Sequence, residues 1–134
     1  GVALEGALKI LEVAKRFICV GYEMDDGLHG PTMGFTKHHG VIILNDNGKD
    51  AKLADGLAKY VKSELGNAFV IGENTADEKD LPFKSQSEYF KFIEYIPVLE
   101  ILAYRLAVDY GIEVKDIVHQ EHLPEMDYFN THDA

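Results

Sequence analysis

Val41-Ile42-Ile43-Leu44, followed by Asn45-Asp46-Asn47-Gly48, is the stretch that sets the fold class. Four apolar residues, three of them β-branched, suit a short strand buried on both faces. The Asn/Asp/Gly cluster behind them is turn chemistry. A helix is predicted next, from about Asp50 to Leu65. Ala54, Leu57, Ala58, Val61 and Leu65 share one stripe, and Gly66 is the stop. Ala68-Phe69-Val70-Ile71 repeats the strand signature. Residues 73–80 read as an acidic loop, with a poor third strand near 81–85. A long helix, apolar almost all round, is predicted from Phe92 to Tyr110 with Gly111 as its stop. Strands alternating with helices predict an α/β protein: three layers, α/β/α, around a parallel sheet. No internal repeat, low-complexity stretch or linker divides the chain, so residues 1–134 read as one unit.

Upstream of that sheet, residues 4–18 predict a helix of unusual proportions. Glu5, Lys9, Glu12 and Arg16 recur at helical spacing and draw one narrow line along the cylinder. Leu4, Ala7, Leu8, Ile10, Leu11, Val13, Ala14, Phe17 and Ile18 make nearly everything else apolar. An ordinary surface helix has a broad polar half instead. Two readings stand. The line is the wet edge of a mostly buried helix, laced by ion pairs, or it faces a cavity and offers a carboxylate for proton transfer. Lys15 falls among the apolar residues and must snorkel out or sit at an interface.

Composition bounds the function. With 134 residues and 46% hydrophobic content, the chain can form one real core. No apolar run approaches the ~20 residues of a membrane span, and Lys9, Glu12 and Lys15 interrupt any signal-peptide core. The single cysteine, Cys19, fits a reducing, cytoplasmic setting and reads as a small core residue. A formal charge of −10 argues against nucleic acid. It leaves room for an anionic sugar phosphate, which backbone N–H groups at helix ends can hold.

Three segments in order then carry a resemblance: Ala3-Leu4-Glu5-Gly6-Ala7-Leu8-Lys9-Ile10-Leu11-Glu12, the Leu28-His29-Gly30-Pro31 turn, and Pro97-Val98-Leu99-Glu100-Ile101-Leu102-Ala103-Tyr104. Together they resemble the sugar isomerase (SIS) domain, and more narrowly the second such domain of enzymes of the glucosamine-6-phosphate synthase type. The match runs from Val2 to about Val114. It implies a flavodoxin-like three-layer fold whose central first strand is missing here, because the numbering begins at the first helix. A companion SIS domain is expected upstream, carrying a Ser/Thr-rich phosphate loop that this chain lacks. The chain therefore reads as a partial carboxy-terminal SIS domain, not expected to turn over substrate alone, in an assembly of at least two copies.

The resemblance also implies a chemistry. Sugar-phosphate isomerases move a proton between C1 and C2 of an opened sugar, which needs a carboxylate over the carbon, a proton shuttle and a cation for developing charge. By the matching motif, Glu12 is the base and Lys9 the electrostatic helper. His29 is associated with ring opening, often from the neighbouring subunit, and histidine exchanges protons readily near neutral pH. The interval from Glu12 to His29 is one residue longer than in the synthase pattern. Read without the resemblance, a histidine beside Gly-Pro is a turn or cap residue.

The tail departs from the pattern. Synthases carry a lysine near the carboxy terminus that forms a Schiff base with the sugar carbonyl, and after Gly111 this chain has only Lys115. A substrate already bearing an amine does not need that lysine. The reading favoured here is therefore a fructosamine-6-phosphate deglycase-like domain. The alternatives are the isomerase domain of an isomerizing transaminase and a phosphosugar-sensing module that breaks no bond. His38, His39, His119, His122 and His132 read as structural or solvent-exposed, since Pro124 denies the His119/His122 segment a common ligand face. Tyr128 and Phe129 read as packing the terminus down or covering the site, not as binding a cofactor. No Gly-rich dinucleotide loop or P-loop is present, so neither an organic cofactor nor a metal is inferred.

Overall fold

The computed structural model describes residues 1–115. Helix α1 (Val2–Lys9) runs into a π-helical turn at Ile10–Ala14. A short helix α2 (Met24–Leu28) and a 3-10 turn (Pro31–Gly34) lead to β1 (Val41–Asn45), α3 (Ala51–Glu64), β2 (Ala68–Gly72), β3 (Leu81–Pro82) and α4 (Lys91–Asp109). The three strands are parallel in the order β1-β2-β3. Among the described residues β1 pairs only with β2, so its other edge has no strand beside it.

Alternation along the strands builds the layers. Ile43 and Val70 point to one face and pack with Ala54 and Ala58 of α3, with Met24 and Leu57 alongside. Leu44, Phe69 and Ile71 point to the other and meet Tyr95 and Leu99 of α4, together with Val2. Runs apolar on both faces are what a two-sided burial demands. The α/β/α class read from the alternating pattern is the one observed, and Gly66 and Gly111 end their helices in the left-handed region.

Helices α1 and α4 lie side by side and parallel. Gly6 meets Leu99, Ile10 and Ala14 meet Ala103, and Phe17 stacks edge-on with Tyr110. A Cβ on Gly6 would come within 2.5 Å of Leu99 Cδ1, so the glycine of the Ala3–Glu12 motif sets how closely the helices approach. Only one stripe of α1 is buried. Leu4, Leu8 and Leu11 are exposed, as are Ile101, Tyr104 and Val108 on α4.

The first helix ends earlier than its periodicity predicts. After the π turn, Lys15 adopts a left-handed conformation (φ 56°), and its ammonium donates to the Glu113 and Val114 carbonyls just beyond α4. Arg16 and Ile18 thus fall outside the helix, and Arg16 leaves the charged line. The loop before β3 is pinned from within. Asp80 buries its carboxylate, accepting N–H groups of Val70, Ala76 and Asp77 and the Lys62 ammonium at 2.7 Å. Burial alone would raise its pKa, but Lys62 and the three backbone donors outweigh it and hold the carboxyl at about 2.

Candidate functional site

The charged line survives along α1 as a three-residue set. Lys9 Nζ stands 2.8 Å from Glu12 Oε2 and 3.5 Å from Glu5 Oε1. Glu5 and Lys9 are one helical turn apart, and Glu12 follows on the next turn where the π geometry begins. The Glu12 hydrogen bond, against a smaller desolvation effect, raises the Lys9 pKa above its ordinary value, so the ammonium stays charged across the neutral range. The Glu12 side chain is 50% exposed, and its carboxylate is reachable from outside the chain. π turns recur at functional sites because they re-aim a side chain relative to the α-helical register.

His29 sits elsewhere. It is the C-cap of α2, and its Nδ1–H donates to the Asp25 carbonyl at 2.6 Å. A carbonyl only accepts, so Nδ1 is the donor, and this bond does not involve Nε2. Helix α2 packs on α3, whereas α1 and its π turn pack on α4, across the sheet. One chain therefore brings Lys9 and Glu12 together but carries His29 on the opposite face.

The remaining histidines of the described part are local. His39 Nδ1 receives the Thr36 backbone N–H at 3.0 Å, and His38 donates its own N–H to Thr36 Oγ1. No group of three or more metal-ligating side chains occurs among the described residues. His119, His122, His132, Tyr128 and Phe129 lie outside them. No described helix is long and apolar enough to cross a membrane.

Two features escaped the sequence. One is the Asp80 clamp. The other is a charged and aromatic group at the carboxyl ends of β1 and β2, where Lys91 pairs with Asp46 at 2.8 Å and Glu88 at 3.1 Å beside the buried Tyr95. Lys91 and Tyr95, one turn apart on α4, are a faint signal of it.

No family model matches the chain, and no curated protein is detectably similar to it in sequence. Solved structures do match. A candidate sugar-binding protein from Salmonella typhimurium LT2 is 29% identical, with a TM-score of 0.68 over 78% of this chain and 32% of its own. The C-terminal domain of glucosamine-fructose-6-phosphate aminotransferase from Francisella tularensis is 19% identical, with a TM-score of 0.70 over 86% of this chain and 34% of its own. The fold is thus shared with an aminotransferase C-terminal domain, and the chain spans about a third of the length of these structures.

Proposed function

We propose that this chain is a phosphosugar-binding SIS domain, the carboxy-terminal part of a deglycase-like enzyme acting on fructosamine 6-phosphates. The observation that carries the reading is the Lys9–Glu12 pair at 2.8 Å on an exposed helix edge, inside the motif that resembles the synthase-type domain. A structural neighbour described as sugar binding supports the ligand class.

In this reading the Glu12 carboxylate takes a proton from C1 of the opened fructosamine 6-phosphate. The electron pair moves to form the C1–C2 enaminol while the C2 carbonyl oxygen gains a proton. Returning a proton to C2 leaves a C1=N imine, which water hydrolyses to the aldehyde sugar phosphate and free amine. Lys9, fixed as a cation, lowers the energy of charge developing beside Glu12. His29 Nε2 exchanges the ring-oxygen proton on opening. Because His29 and Glu12 lie on opposite faces of one chain, a complete site takes His29 from a second copy. The exposed apolar stripes Leu4/Leu8/Leu11 and Ile101/Tyr104/Val108 support such an assembly. The edge of β1 that no other described strand pairs with supports a further strand beside it, as the resemblance implies.

Turnover assays of the full-length protein with fructosamine 6-phosphates and fructose 6-phosphate test the reading. Release of amine and an aldose 6-phosphate from the former supports it. Amination or isomerization of fructose 6-phosphate alone makes the domain transaminase-like. Absence of turnover, with a sugar phosphate raising the melting temperature, makes it a sensor.

A further inference from the structure

We propose that Lys15 is a positioning residue for Glu12: it ties the end of the π turn to the stretch beyond α4, and so holds the carboxylate on its exposed edge. The proposal rests on the reading of Glu12 as the base, and its test separates the two. Two departures from regular helix meet at this acid. The turn Ile10–Ala14 that carries it is π-helical, a geometry that shifts side chains out of the α-helical register. Immediately after it Lys15 is left-handed, with φ 56° and ψ −16°.

A left-handed backbone sets Cβ against the following carbonyl oxygen. It persists in a residue with a long side chain only where the surroundings over-determine it, and such residues cluster at functional sites. The reversal is also tight. Arg16 donates its backbone N–H to the Ala14 carbonyl at 2.6 Å, closing three residues around Lys15. Glycine takes this backbone without the Cβ clash, so a lysine here points to a use for the side chain.

That use is a clamp. Lys15 Nζ donates to the Glu113 carbonyl at 3.1 Å and the Val114 carbonyl at 2.7 Å. Because α1 and α4 run parallel, their carboxyl ends lie together. Left-handed Gly111 ends α4, the Ile112 N–H bonds back to the Ala107 carbonyl, and the next two carbonyls are the ones Lys15 takes. On either side of the reversal the contacts are apolar: Ala14 is buried with Ala103, and Phe17 meets Tyr110 edge-on at 4.9 Å between ring centroids. The ammonium is the polar anchor between them. Glu12 pairs with Lys9 of the adjoining helix, so its placement against the rest of the chain follows the turn that carries it. Fixing the turn fixes the acid, and a displacement of residues 113–114 is carried to it.

The test compares Lys15→Met, Lys15→Gly and Lys15→Arg. The first keeps the apolar stem, the second accepts the left-handed backbone, and both lack the cation that the third retains. NMR of the 134-residue chain should show the Lys9 ammonium and Glu12 amide signals of Lys15→Met and Lys15→Gly moving toward their positions in Glu12→Gln. Those of Lys15→Arg should stay near wild type. In the full-length protein, kcat on a fructosamine 6-phosphate should fall roughly 10-fold to 100-fold in Lys15→Met and Lys15→Gly at nearly unchanged KM, and stay within about threefold in Lys15→Arg. A lysine that merely stops the helix would change the melting temperature and leave those signals and kcat in place. If Lys15→Met does not fold, Lys15→Gly decides. Unmoved Lys9 and Glu12 signals in Lys15→Gly overturn the proposal, as does its full kcat in a protein that Glu12→Gln inactivates. A wild type without turnover, or one indifferent to Glu12→Gln, ends the reading of Glu12 as the base, and the NMR signals then decide whether Lys15 sets its turn.

Discussion

Lys9 at the end of α1 holds Glu12 of the π turn at 2.8 Å, on an edge that the other described residues leave open. An ion pair so exposed adds little stability, and in the proposed function the lysine acts instead as an electrostatic partner of the carboxylate. Replacing Lys9 by Met keeps the apolar stem and removes the charge. In the full-length protein kcat should fall by roughly 10²-fold, the scale of losing one electrostatic stabiliser, while the melting temperature stays within a few degrees. An unchanged kcat would assign the lysine to the surface.

His29 and Glu12 on opposite faces predict a site shared between copies. Full-length Glu12→Gln and His29→Ala proteins should each be inactive alone. Mixed and reassembled one to one, they should recover about a quarter of wild-type activity, because half the dimers are mixed and each holds one intact site. Recovery of nothing would mean that both residues serve the same copy, and activity of either variant alone would mean that its residue is dispensable.

The Asp80 clamp predicts a defined acid sensitivity. Its folded carboxyl titrates at about 2, below the ordinary value of 3.8. A depressed folded pKa contributes stability that is fully present above the unfolded value and lost as pH falls through the folded one. Urea midpoints should therefore hold from pH 7 to about 5 and drop between about 4 and 2. Asp80→Asn, which sets an amide against three N–H donors and Lys62, should cost roughly 2–4 kcal/mol at pH 7 and flatten that dependence.

Close packing of α1 on α4 predicts coupled substitutions. Gly6→Ala gains helix propensity of about 1 kcal/mol but drives a methyl into Leu99. The net cost in the wild-type background should be about 1–2 kcal/mol. In a Leu99→Ala background the obstacle is gone, and the same change should be neutral or stabilising by equilibrium denaturation.

These residues also show what a sequence can disclose. Val41–Leu44 and Ala68–Ile71 were legible because strands covered on both faces must be continuously apolar. The end of α1 was not. Arg16, Phe17 and Ile18 continue the helical period, and what stops the helix is Lys15 reaching carbonyls almost a hundred residues away. Asp80 read as one more acid in a polar loop, since the N–H groups it satisfies belong to β2 and to its own turn. Periodicity marked Leu4, Leu8 and Leu11 as apolar but does not report which apolar residues a fold leaves exposed. Glu12 and Lys9 were legible because helical spacing alone places them together. Tyr95 was silent, because a buried hydroxyl without a partner among the described residues exists only once the sheet is built.

Proton transfer at the substrate tests the assignment of Glu12 most directly. Full-length protein turning over a fructosamine 6-phosphate in deuterium oxide should place deuterium at C2 of the aldose product. Glu12→Gln should slow both C1 exchange and product formation by roughly 10³-fold. Exchange and turnover at the wild-type rate in Glu12→Gln would contradict the account.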